Sequence, residues 1–135
     1  SNHVIEHVPH QQKHLREIHR VLKRGGVCYL ATPNKYSIDP HFRLPFIGFL
    51  PRGISAFLVK AIRQRVFDIY PLGMSDIRRL AKGFTVEDRT FAVFSDPKKY
   101  AMAPAPFGIH RFFPRQGAFL LDLVSPAFIV VLRKP

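Results

Sequence analysis

Between His10 and Lys23 the apolar side chains are Leu15, Ile18, Val21 and Leu22, with charged residues between them. That spacing lays one stripe along a surface of helical period, so it predicts an amphipathic helix. Pro9 stands near the start, where its missing N–H costs nothing. Gly25-Gly26 ends the helix, and Arg20, Lys23 and Arg24 complement its negative end. The next run, Val27-Cys28-Tyr29-Leu30-Ala31-Thr32, is continuously apolar and is stopped by Pro33-Asn34. Helix, glycine turn and strand make half of a βαβ unit, with the strand expected in parallel pairing and buried on both faces.

From Lys35 to Tyr70 the character changes. Phe42, Leu44, Phe46, Ile47, Phe49 and Leu50 form a proline-broken apolar patch, and SAFLVKAIRQRVFDIY after it reads as a helix. A connector has no need of so many apolar side chains, so the segment is expected to be a lid or a partner-binding surface. Pro71 to Ser75 is a turn with Ser75 as N-cap of a helix over Asp76 to Lys82, closed by Gly83. Phe84 to Phe94 alternates loosely and predicts a strand. Ser95 to Pro114 reads as loop, Gln116 to Val124 as a short helix, and Ala127 to Leu132 as the last strand.

Composition narrows the class. The 135 residues suit one domain, and a hydrophobic share of 47% excludes a disordered tail. A net charge of +12 favours phosphate-bearing partners: nucleic acid, an anionic membrane surface or a phosphorylated substrate. Cys28 is the single cysteine, which leaves no internal disulfide and makes a cytoplasmic setting the expectation. No apolar run approaches the roughly 20 residues of a bilayer span. Ser1 already reads like the end of a structural element, so a fragment begun part-way through a domain is expected.

Histidines 3, 7, 10 and 14 recur near the start, beside Glu6. One reading is a ladder of metal ligands on a helix face. Pro9 interrupts any such helix, so the preferred reading is a pocket wall, with Glu6 and His7 bracing a loop and His10, His14 and His19 as solvated helix residues.

The run HVIEHV…HLREIHRVLKRGGVCYLATPN carries a resemblance through Glu6, His7, Val8 and Pro9, then Leu15 and Glu17, then Arg20 to Lys23, Gly25 and Gly26, then Pro33 and Asn34. In these residues the chain resembles S-adenosylmethionine-dependent Rossmann-like methyltransferases of the ubiquinone and menaquinone-type small-molecule branch. GFTVEDRT and FIVVLRK fit that family's last strands, while Arg24 stands where proline is usual and Lys35 to Tyr70 lies outside the resemblance. The implied fold class is α/β: residues 1–135 as the C-terminal part of a seven-stranded sheet (strands four to seven), with a helical lid insertion at 35–70.

The resemblance also implies roles. Ser1, Asn2 and His3 would line the cofactor, S-adenosylmethionine, near its sulfonium. His7 would be a general base for a hydroxyl acceptor, since imidazole exchanges protons near neutral pH. Asn34, Phe42 and Phe46 would meet the acceptor. In related O-methyltransferases an E-x-x-E-H stretch holds a divalent ion; its counterpart here is His3, Glu6 and His7, with imidazole replacing one carboxylate, and the expectation is no metal. The family's glycine-rich loop belongs to its first half, and this chain contains no G-x-G. The chain alone is therefore expected to bind the donor weakly or not at all.

The activity expected of the intact protein is methyl transfer, chiefly to oxygen, on a small or lipid- or glycan-linked acceptor. Lys60, Arg63 and Arg65 on the apolar insertion helix suit peripheral membrane contact. The alternative is a non-catalytic remnant, or a basic module for RNA or an anionic membrane. Nucleic acid is disfavoured, because the basic residues are dispersed and no RNP strand or GXXG loop is present. An exposed edge on strand four would favour a homodimer.

Overall fold

Strands β1 (Val27–Pro33), β2 (Thr85–Asp88) and β3 (Ala127–Arg133) form a sheet in the order β1-β3-β2. They come from a computed structural model that describes residues 1–37, 44, 47–96, 98–100 and 125–135. Phe42, Phe46, the 104–114 aromatic run and the helix expected over 116–124 lie outside the described residues.

β3 runs antiparallel to both neighbours, with Arg133 opposite Val27 on one side and Thr85 on the other. β1 and β2 therefore point the same way with β3 between them. On its other edge β1 meets residues 1–3 in parallel: Asn2 bridges Ala31, the His3 N–H donates to the Ala31 carbonyl (2.9 Å), and the Ala31 N–H to the Ser1 carbonyl (3.1 Å). The parallel pairing expected of Val27 to Thr32 is thus confined to this short contact. Its full-length partner is the antiparallel β3, whose own apolar run enters between β1 and β2.

Burial on both faces also fails for half of β1. Leu30 to Pro33 are buried, but Val27 and Tyr29 are about half exposed. The reason is unequal cover. One sheet face packs Leu30, Phe128, Val130 and Leu132 against Leu15 of helix α1 (Gln11–Val21) and Ile77 of helix α3 (Met74–Leu80). The other face has Val93 and Phe94 of α4 (Thr90–Ser95) over Ala31 and Ile129 only.

α1 keeps Leu15 and Ile18 of the expected stripe, but Val21 is exposed where the helix ends. Gly25 turns the chain at φ +74°, a conformation glycine adopts without strain. Lys134 reaches back to the carbonyls of His19 and Leu22, both at 2.8 Å, and caps α1 with a positive charge.

Helix α2 (Arg52–Arg63) begins after Pro51 and ends at Gln64, whose φ is 54°, so it is shorter than the expected Ser55 to Tyr70. Beyond it the chain turns back, and the Arg52 guanidinium donates to the carbonyls of Ile69 (2.8 Å) and Phe67 (3.2 Å). Ile47, Val59, Phe67 and Ile69 make a second small core under α2.

Two further expectations are corrected. The N-cap of α3 is Gly73, not Ser75, because Asp76 reaches back to accept the Gly73 N–H at 3.1 Å. The strand expected through Phe94 stops at Asp88. There Asp88 Oδ1 accepts the Thr90 N–H (2.9 Å), and Thr90 Oγ1 accepts the Ile129 N–H (3.0 Å) in place of a further strand residue. The chain then enters α4.

Candidate functional site

The N-terminal residues reach the site along the edge of β1. The Ser1 amino group donates to the Tyr29 carbonyl at 2.9 Å, and the Ser1 hydroxyl lies 3.2 Å from His14 Nε2. His3 adopts φ 51° and turns the chain off this edge into the 3-10 turn Ile5–His7. Ile5 enters the main core, which drags Glu6 inside with it.

Glu6 is 1% exposed. One carboxylate oxygen accepts a hydrogen bond from the Thr32 hydroxyl at 3.2 Å. The other, Oε1, is buried without a hydrogen bond; His3 Nδ1 stands 3.4 Å from it. A buried carboxylate oxygen lacking a donor is costly. Backbone contacts hold the turn: the Tyr70 N–H donates to the Glu6 carbonyl (2.6 Å), and Gln11 Nε2 donates to the carbonyls of Ile5 (3.1 Å) and Tyr70 (2.8 Å).

At the end of β1, Asn34 is buried, with Nδ2 donating to the Ser125 carbonyl (2.9 Å) and Oδ1 accepting the Tyr36 N–H (3.0 Å). The next residue, Lys35, donates to Asp76 at 2.6 Å. Asn34 thus braces the turn leaving β1, and Lys35 joins that turn to α3.

The structure therefore brings Ser1, Asn2 and His3 together with Glu6 and Thr32 beside the end of β1. His7 follows on the turn with an exposed side chain. Among the described residues no group of three His, Cys, Asp or Glu side chains is placed to hold a metal, so His3, Glu6 and His7 do not assemble into a ligand set. The turn divides them, with Glu6 inside the core and His7 outside it.

Sequence reasoning missed Thr32, although it is the lone hydroxyl at the inner end of this apolar strand. It also placed His14 and His19 in solvent, whereas His14 lies against Ser1 and His19 meets the Phe84 ring edge-on at 4.9 Å. Burial, then the positive Ser1 amino group, hold the His14 pKa below its ordinary value.

Residues 1–30 match a methyltransferase domain family. The matched stretch contains the edge residues, the turn with buried Glu6, α1 and the first half of β1, and it supports an S-adenosylmethionine-dependent methyltransferase. No curated protein and no solved structure matches the chain.

The fit to the methyltransferase donor is incomplete. Asn2 and His3 offer exposed polar side chains at the strand end, but the sequence supplies no glycine-rich loop for close backbone approach. An open groove of about 590 Å³ lies elsewhere, between the start of α1 and the end of α3, with His10, Lys13, Arg16 and Arg79 on its walls. None of the residues assigned to donor or acceptor lines it. The residues present do not by themselves fit the whole donor.

Proposed function

We propose that this chain is the C-terminal portion of a methyltransferase domain that methylates an oxygen of a small, lipid-linked or glycan-linked acceptor. The observation that carries the reading is the parallel contact of Ser1 to His3 with β1, leading into the Glu6–His7 turn inside the matched stretch. In this reading residues 1–3 end strand four, and β1, β2 and β3 are strands five, six and seven. The strands then lie in the spatial order four, five, seven, six.

Asn2 and His3 would border the donor, with Glu6 setting the orientation of His3 from inside the core. S-adenosylmethionine, when bound, supplies an already activated methyl group. What the protein must add is chiefly alignment, with proton removal secondary. His7, exposed on the turn, takes the proton of the acceptor hydroxyl. Asn34, with its turn, fixes the hinge of the 35–70 lid.

Isothermal titration tests the reading. The 135-residue chain is expected to give no micromolar binding of S-adenosylmethionine. A protein extended by the in-frame sequence upstream of Ser1, carrying a glycine-rich loop, is expected to bind it. In that longer protein His7→Ala should lower kcat about a hundredfold. Micromolar binding by the 135-residue chain would overturn the assignment of a half-site. An upstream sequence without such a loop would favour the non-catalytic remnant instead.

A further inference from the structure

α2 has two apolar faces, and only one of them is covered by described residues. Ser55 and Val59 point into the small core with Ile47, Phe67 and Ile69. On the opposite ridge Ile54, Phe57 and Ala61 follow at i, i+3 and i+7, and all three are exposed, Phe57 at 71%. Val66, just past the helix, is 80% exposed, and Phe49 before it and Ile62 at its end are exposed as well. Ile54, Phe57 and Ala61 are neighbours on one helix ridge, and exposed apolar side chains grouped in this way mark an interaction surface.

The charge around the ridge selects its partner. Between Ile47 and Phe67 the sequence carries Arg52, Lys60, Arg63 and Arg65 and no acidic residue. A second copy of the chain would bring the same positive field against this one. Single-stranded nucleic acid would want planar rings for stacking, but most of the exposed side chains are aliphatic. Aliphatic and phenyl groups flanked by cations on one face of a short helix match the boundary between acyl chains and anionic headgroups. The helix has 12 residues, and no described helix is long and apolar enough to cross a membrane, so α2 would lie in the interface plane.

We propose that the outer ridge of α2 docks the protein on an anionic lipid bilayer, with Phe57 and Ile54 inserted and Lys60 at headgroup level. This goes beyond methyl transfer and does not depend on donor binding, so either can fail without the other.

The chain contains no tryptophan, so Phe57→Trp gives a single reporter on the ridge at an already exposed position. Tyr29→Trp, on the sheet, serves as its control. With the full chain, phosphatidylcholine vesicles containing phosphatidylserine should shift the ridge reporter's emission to the blue and leave the sheet control unchanged. Vesicles of phosphatidylcholine alone should move neither. In flotation assays Phe57→Ser should weaken binding about tenfold or more, and Lys60→Gln about fivefold. Circular dichroism checks that both variants stay folded.

Equal shifts in the ridge reporter and the sheet control, or undiminished flotation of Phe57→Ser, would overturn the proposal. So would quenching of the ridge reporter by RNA with no response to vesicles. A blue shift of that reporter that grows with protein concentration in the absence of lipid would assign the ridge to a second copy, against the proposal. Ridge emission that is already blue at high dilution and indifferent to vesicles would assign it to the chain itself, with the same consequence.

Discussion

Two ionisable residues report the site's surroundings through pH. His14 sits below its ordinary pKa of 6.5 because of burial and then the Ser1 ammonium. The unfolded chain takes up this proton more readily than the folded one, so acidification through 6.5 removes stability. Melts between about pH 8 and about pH 5 should show a falling Tm, with a shallower fall in His14→Gln. Asp76 is also held below its ordinary value, but by its partners rather than by burial. Burial alone would raise its pKa, but hydrogen bonds from Lys35, the Gly73 N–H and Arg79 lower it below 3.8. Its contribution is present above the ordinary value and disappears as pH falls through the lower folded one. Asp76→Ala loses both the Lys35 contact and the α3 cap, and should cost about 1–2 kcal/mol in urea denaturation at neutral pH.

Elements here end where a side chain replaces a backbone bond. β2 stops because Thr90 Oγ1, rather than a strand carbonyl, accepts the Ile129 N–H, while the Arg89 N–H still donates to the Ile129 carbonyl. Thr90→Val keeps the shape but leaves a buried N–H without its acceptor, so a loss of about 1–3 kcal/mol is expected from denaturant titration. The α1 stripe shows a similar division within one helix. Leu15, buried between α1 and the sheet, should cost about 2–5 kcal/mol as Leu15→Ala. Val21→Ala, at the exposed end of the same stripe, should change stability by no more than about 0.5 kcal/mol. Equal costs at the two positions would refute the burial assigned to them.

At the scale of the molecule the sheet is unevenly finished. Residues 1–3 cover only part of the outer edge of β1, and Val27 and Tyr29 are left on a face that α4 does not reach. Strand edges and apolar faces of this kind invite pairing with another chain. The 135-residue chain is therefore expected to self-associate with rising concentration in analytical ultracentrifugation. The pair Val27→Lys and Tyr29→Lys should restore a monomer. A monomer from the unaltered chain at all concentrations would argue that this edge needs no partner.

The parts of the fold that could be read before any coordinates are those whose signal is local. The Leu15–Ile18 stripe, the glycine turn and the apolar runs at 27–32 and 127–132 specify α1, β1 and β3 through periodicity and chain stiffness alone. The Glu6–His7 loop was legible by a different route, through the family resemblance that those residues carry. Long-range packing governed what depends on distant neighbours. β3 joined β1 as an antiparallel partner on the edge away from residues 1–3, Thr90 converted half of an expected strand into a helix, and Arg52 drew the tail of α2 back on itself. Packing also placed Glu6 inside and His7 outside, because burying Ile5 fixes the phase of the turn that carries them. Spacing along a chain records which residues can share a face; which face is covered depends on segments that arrive from a hundred residues away.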